Sequence, residues 1–257
     1  MTLPLIFITG ASSGIGRALA ARYAQAGWRL ALVARRTEEV QAWAQSQGLA
    51  GERVAVYRAD VAEPDSIIEA ARQCMAAQGL PDVVVASAGV SIGMDSAERG
   101  DIDVMRDTFA LNNTGLAATF HPFLRPMRQR RSGTLVAIAS VAAIRGLPGH
   151  GAYCASKAAV VAYAESLRGE CRRQGVRVVT LVPGWIATPL TQKNPYPMPF
   201  LMQADDFAQR AFRAISAGVS YRVIPWQMGV VAKLLRLLPN ALFDRLIAGR
   251  GRKSRRN

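Results

Sequence analysis

At 257 residues, half of them hydrophobic, the chain is long enough to bury a sizeable core as one large α/β domain. A formal net charge of +14 suggests an anionic partner, whether a phosphate-bearing cofactor, an acidic lipid or nucleic acid. Three cysteines (Cys74, Cys154, Cys171) without metal-type spacing argue against a disulfide framework or a zinc site and fit a reducing compartment, and two histidines (His121, His150) without clustered acids argue against a metal- or histidine-based mechanism.

The first residues, Met1 to Thr9, lack a basic n-region, and their apolar run is too short for a signal peptide. No stretch reaches the apolar length of a membrane span, so a cytoplasmic chain is expected, one that at most lies on a membrane surface. Residues 3–8 read as a strand buried on both faces. Thr9-Gly-Ala-Ser-Ser-Gly-Ile-Gly16 follows, and then a helix-favouring run closed by Gly27. Strand, glycine-rich turn and helix together place a helix N-terminus where it can meet a pyrophosphate. The spacing is G-x-x-x-G-x-G rather than G-x-G-x-x-G, but a tight turn, backbone approach and close packing are needed in both.

Residues 28–34 read as the second strand, whose end in a dinucleotide fold faces the adenosine ribose. An acid there would take the 2′-hydroxyl; this chain has Arg35-Arg36, which suit a 2′-phosphate through charge and bidentate donors. NADP(H) is therefore expected over NAD(H), with one arginine of the pair free to face solvent. A helix over 37–47, a third strand over 53–59 ending in Asp60-Val61, a helix from Pro64 to about 78 and a fourth strand over 82–86 follow. A ligand is expected at the switch between the sheet's halves, by the ends of the first and fourth strands.

One long helix is expected over 101–129, and Asn112, Asn113 and Gly115 inside it are locally unfavourable, the mark of a functional kink or of a polar surface spot. A fifth strand over 133–139 ends at Ser140, and a helix over 151–174, closed by Gly175, carries Tyr153-Cys-Ala-Ser-Lys157. Tyr153 and Lys157 lie one turn apart on one helical face, where an ammonium beside a phenol would favour the phenolate. A sixth strand over 176–182 runs into Pro183-Gly-Trp-Ile-Ala-Thr188. Alternating strands and helices with no long linker predict a doubly wound, mostly parallel sheet (a Rossmann fold) with helices on both faces. Residues 1–225 are expected to form the dinucleotide-binding and catalytic unit, and 226–257 a helical extension with a basic tail.

Taken together these segments resemble the short-chain dehydrogenase/reductase family in its compact single-domain form. The resemblance rests on Thr9-Gly-x-x-x-Gly-x-Gly16, Asp60-Val61, Asn112-x-x-Gly115, Ser140, Tyr153-x-x-x-Lys157 and Pro183-Gly184 with Thr188, in that order over about residues 3–190. It implies that Tyr153 moves the proton at the carbonyl or alcohol oxygen and that Lys157 lowers the tyrosine's pKa and holds the nicotinamide ribose. Ser140 would hydrogen-bond the substrate oxygen, and Asn112 would support a water linking Lys157 to solvent. It also implies that Gly10, Ser12, Ser13, Gly14, Ile15 and Gly16 surround the pyrophosphate and adenosine side, and that Asp60 and Val61 contact adenine. Ala88 and Gly89 would approach the ribose and Ile186 and Thr188 hold the carboxamide, with Pro183 and Gly184 also among the cofactor-binding residues. The family usually has Asn-Ala-Gly where this chain has Ser87-Ala88-Gly89, which puts the rigidity of that turn in question.

Residues 190–203 mix three prolines with apolar side chains and read as a loop over the active site, a lid for an apolar substrate, or as a plain surface connection. A helix over 205–217 and a last strand over 221–225 follow. Residues 226–248 carry apolar side chains at helical spacing with Lys233, Arg236 and Arg245 between them, broken by Pro239 into two helices. They pack on the domain or a partner subunit, or they lie on an anionic membrane. The tail adds Arg250, Arg252, Lys253, Arg255 and Arg256, either a solvated, disordered segment or part of an anion-binding surface. The expected activity is hydride transfer between NADP(H) and the carbonyl or alcohol of an apolar small molecule, with no metal. A homodimer or homotetramer built on the helices over 101–129 and 151–174 is implied by the resemblance. The alternatives are a non-catalytic NADP(H) sensor, which would be expected to lose Tyr153 or Lys157, and nucleic-acid binding by the tail, non-specific for want of a reading module.

Overall fold

The computed structural model of the chain describes residues 3–49, 51–192, 194–249, 251 and 253–255. Met1 and Thr2 at the N-terminus, Lys193 of the expected lid, and Arg250, Arg252 and Arg256 of the basic tail lie outside the described residues.

In chain order the strands are β1 (Leu5–Thr9), β2 (Arg29–Ala34), β3 (Val54–Arg58), β4 (Val83–Ala86), β5 (Gly133–Ile138), β6 (Val176–Pro183), β7 (Ile186–Ala187), β8 (Met202–Gln203) and β9 (Tyr221–Ile224). Seven of them form one sheet in the order β3-β2-β1-β4-β5-β6-β9, and every pairing in it is parallel. The order reverses between β1 and β4, as a doubly wound sheet requires. All five residues of β1 are buried, because helices cover both faces; Phe7 stands between Ala31 on one side and Val84 on the other.

On one face, α1 (Gly14–Gln25), α2 (Thr37–Ser46) and α7 (Ala204–Ser216) bury Leu19, Tyr23, Val40, Phe207 and Ile215 against the sheet. On the other, α3 (Pro64–Gln78), α5 (Gly115–Arg130) and α6 (Gly151–Cys171) bury Ile67, Phe120, Phe123, Val160 and Leu167. Each fully buried large side chain contributes roughly 1.5–3 kcal/mol, so these two layers hold the carboxyl ends of the strands in fixed register.

The single helix expected over 101–129 is in fact α4 (Asp101–Phe109), a π-helical segment (Ala110–Thr114) and α5. The extra residue per turn swings Asn112 inward, where its Oδ1 accepts from Val90 N at 2.9 Å and its Nδ2 donates to Val90 O at 3.0 Å. Gly115 follows because a Cβ there would lie 2.2 Å from the Val61 carbonyl oxygen. The helix over 151–174 stops as α6 at Cys171, and Arg172–Gln174 tightens into a 3-10 turn.

Pro239 separates α8 (Trp226–Leu237) from α9 (Asn240–Ile247), as expected. The tail differs from the solvated, disordered segment weighed from composition. Gly93 N donates to Ser254 O at 3.0 Å, Lys253 Nζ to Leu190 O at 2.9 Å, and Arg255 Nε to Asp101 Oδ2 at 2.7 Å. Composition alone cannot show that a buried carboxylate waits for one of those cations.

Candidate active site

One cavity of about 1340 Å³ opens at the carboxyl ends of β1, β4, β5 and β6. Gly10, Ser12, Ser13, Gly14, Ile15, Gly16, Arg35, Arg36, Asp60, Val61, Ala88, Gly89, Pro183, Gly184, Ile186 and Thr188 line it together with Ser140, Tyr153 and Lys157. Asn112 does not line it; it lies buried behind Gly89, whose absent Cβ would meet Asn112 Oδ1 at 3.3 Å and Lys157 Nζ at 3.5 Å.

The turn after β1 is built by close approach. A Cβ on Gly16 would fall 2.3 Å from Gly10 O, so only glycine lets α1 pack down onto the turn. Ser13 precedes α1 in extended backbone and makes no side-chain cap, leaving the first-turn amides at the cavity wall without that partner. Thr9 Oγ1 accepts from Ser87 N at 3.1 Å and Ala88 N at 3.2 Å. The end of β4 is thus tied to β1 by Thr9, which answers the doubt raised by Ser87.

Tyr153 and Lys157 reach the cavity from the first turns of α6, and Ser140 from the end of β5, where its Oγ accepts from Ala142 N at 3.2 Å. Burial pushes the Tyr153 phenol above its ordinary pKa, and the Ser140 side chain pulls it part of the way back. Lys157 Nζ lies over the Tyr153 ring, 5.9 Å from its centroid, and donates to Ile138 O at 2.9 Å. Burial lowers Lys157 itself to about 8. Asn112 Nδ2 also donates to Ser156 Oγ at 2.9 Å, and Asn113 Nδ2 to Ser156 O at 2.9 Å, so the π-helical turn is bolted to α6 between Tyr153 and Lys157.

At the far end of the cavity Arg35 Nη1 is 3.6 Å from Asp60 Oδ2, and Arg36 Nε is 2.9 Å from Glu39 Oε1. Both guanidiniums remain about two-thirds exposed, at 68% and 66%.

The family model for short chain dehydrogenases matches residues 4–197. The chain belongs to the short-chain dehydrogenase family. It is 40% identical over 244 residues to an uncharacterized oxidoreductase of Myxococcus xanthus, covering 95% of this chain and 96% of that one. Among solved structures, a Burkholderia phymatum short-chain dehydrogenase/reductase in complex with NAD matches with a TM-score of 0.81 at 25% identity, over 90% of this chain and 92% of that one. An alcohol dehydrogenase of Thermococcus sibiricus complexed with 5-hydroxy-NADP matches with a TM-score of 0.76 at 26% identity, over 87% and 96% of the two chains. The protein is an oxidoreductase of this family.

Several residues that line this short-chain dehydrogenase's cavity carried no sequence signal. His150 has no acid or second histidine near it in sequence, yet its Nε2 lies 3.0 Å from Tyr196 Oη, and burial lowers its pKa. Trp185 stacks obliquely on Tyr196 at 5.5 Å, and Arg145 closes the cavity under α8 and α9. The run Asn194-Pro-Tyr-Pro-Met-Pro199 was legible as a covering loop, and these residues do line the cavity; the pairing of Tyr196 with His150 was not legible. Among the described residues no group of three or more His, Cys, Asp or Glu side chains could hold a metal ion.

Proposed function

We propose that the chain reduces the carbonyl of an apolar small molecule with NADPH, or oxidises the corresponding alcohol with NADP. The observation that carries this is the convergence of Tyr153, Ser140 and Lys157 on the cavity whose opposite wall is the Gly10–Gly16 turn. Glycines that a Cβ would block, and amides at the start of α1 with no side-chain cap, fit the pyrophosphate of a dinucleotide. Arg35 and Arg36, exposed and beside Val33 and Ala34, favour a 2′-phosphate and hence NADP(H) over NAD(H), while Asp60 and Val61 flank the adenine. Ala88, Gly89, Pro183, Gly184, Ile186 and Thr188 take the nicotinamide end.

A nicotinamide cofactor supplies the hydride; the protein moves the proton. Tyr153, a phenol protonated at neutral pH at the cavity wall, serves as donor to the carbonyl oxygen. Ser140 offers a second donor to the same oxygen, against which negative charge develops. Lys157, at about 8, is able to return the proton to the phenolate, and Asn112, held by Val90 and Ser156, steadies the helix between them. The apolar lining from Leu147, Trp185, Met198 and Met228 selects an apolar substrate. Residues 1–225 serve as the catalytic unit and 226–257 as an extension that completes the cavity wall. Ile102 and Met105, exposed on α4, support a homodimer or homotetramer built on α4, α5 and α6.

Oxidation of NADPH and of NADH, followed with a panel of apolar ketones, tests the reading with Tyr153→Phe as control. Ketone-dependent NADPH oxidation abolished in the variant is expected. Tight NADPH binding with no turnover on any ketone would favour a sensor and overturn the enzymatic reading.

A further inference from the structure

Helices α8 and α9 have two faces of unequal fate. The inner face closes the cavity with Met228, Val231, Leu235, Phe243 and Ile247. Arg145 clamps that face: it donates to Leu238 O at 2.8 Å and to Asn240 Oδ1 at 3.1 Å, bonds Leu235 O, and lies over the Phe243 ring at 3.8 Å. The outer face is bare. Trp226, Val230, Leu234 and Leu237 follow one another at helical spacing along α8, exposed by 66%, 48%, 60% and 80%; Leu242 and Leu246 continue on α9 at 52% and 50%. Single exposed apolar residues need no explanation, but six large ones on two successive helices do.

The row is edged with cations. Lys233, Arg236 and Arg245 are exposed on the same two helices, opposed by Asp244. An amphipathic element with large apolar side chains on one side and lysines and arginines beside them is what lies in the interface of an anionic bilayer. A second copy of this chain is a poorer occupant, since a two-fold pairing would set those cations against their own kind. Leu246 is half exposed and also lines the cavity, so the bare face and the cavity wall meet at that residue.

We propose that the outer face of α8 and α9 seats on an anionic lipid bilayer, the leucines and Trp226 entering the headgroup boundary and the lysine and arginines facing lipid phosphates. This goes beyond the proposed reaction and does not depend on it, because lipid binding is read without turnover.

The test is co-sedimentation of the full chain with vesicles of phosphatidylcholine mixed with phosphatidylglycerol, and with phosphatidylcholine alone. Binding to the mixed vesicles, weaker on the neutral ones and falling with added salt, is expected. Leu234→Glu with Leu237→Glu should lower the bound fraction roughly tenfold or more, since each loses the transfer of an apolar side chain. Lys233→Glu with Arg236→Glu should remove the preference for the anionic vesicles. Thermal melts of both variants, expected to match the parent, show that the fold is kept, and light scattering reads the oligomeric state. Absence of binding to the mixed vesicles overturns the proposal. So does binding that survives Leu234→Glu with Leu237→Glu. An oligomer that dissociates in that variant, with no vesicle binding by the parent, would assign the face to a second copy instead.

Discussion

Arg255 Nε donates to Asp101 Oδ2 at 2.7 Å, joining the C-terminal tail to the first residue of α4 across 154 positions of sequence. Asp101 is buried and also accepts from Asp95 N, which together with Arg255 holds its carboxyl below the usual carboxylate range. Beside this pair the Gly93 amide bonds Ser254, so the loop after β4 and the tail are fastened as one.

Arg255→Ala should release that fastening. The expected readout is faster hydrogen exchange at the Gly93 amide, with the amides of β1 unchanged. The native Asp101 pKa lies below the unfolded one, so its contribution is present above the unfolded value, near 3.9, and is lost as pH falls through the native one. The difference in stability between parent and Arg255→Ala should therefore shrink under acid and stay constant at neutral pH. A Gly93 amide as protected in the variant as in the parent would contradict the contact.

Two glycines in helices on opposite faces of the sheet should respond oppositely to alanine. Gly16→Ala drives a Cβ to within 2.3 Å of Gly10 O and should destabilise by about 1–3 kcal/mol. Gly169 lies in α6 with open space around it, and Gly169→Ala should stabilise by about 0.5–1 kcal/mol. Denaturant midpoints measure both, and equal shifts would refute the packing described for the Gly10–Gly16 turn.

Lys157 should be a burden on stability that the reaction requires. Its native value of about 8 lies below the unfolded one of about 10.4. The unfolded chain therefore binds more protons between those values, and stability rises with pH across that window. Below about pH 8 the buried cation is a cost on the order of a few kcal/mol, offset in part by the bond to Ile138 O. Lys157→Met should be no less stable than the parent at pH 7, should lose the rise between pH 8 and 10.4, and should lose turnover. A large fall in stability at pH 7 would show that the bond outweighs the burial.

Cofactor preference tests the arginine pair. Arg35→Asp with Arg36→Ala should raise KM for NADPH roughly 10- to 100-fold, as loss of charge-assisted bonds to a phosphate predicts, and move KM for NADH far less. Equal changes for both cofactors would remove Arg35 and Arg36 from the 2′-phosphate.

Much of the site was legible because it is written in local spacings. Tyr153 and Lys157 share a helical face by periodicity, the glycines of the first turn stand at fixed steps, and Asn112 and Gly115 break a helix that would otherwise run on. What escaped depends on tertiary partners or on burial. The π-helical turn is held by Val90 and Ser156, the tail by Asp101, and His150 by Tyr196, each far off in sequence. A neighbouring charge can be read from spacing; the burial that pushes the Tyr153 phenol up cannot.

In the proposed reaction hydride reaches a carbonyl carbon in this cavity while Tyr153 provides the proton. The most direct test is reduction of an accepted apolar ketone with NADPH carrying deuterium at both C4 positions of the nicotinamide, the product alcohol being read by mass spectrometry. Transfer of the deuterium to the carbinol carbon by the parent, and none by Tyr153→Phe, is the predicted result. Unlabelled alcohol, or equal transfer by the variant, would contradict it.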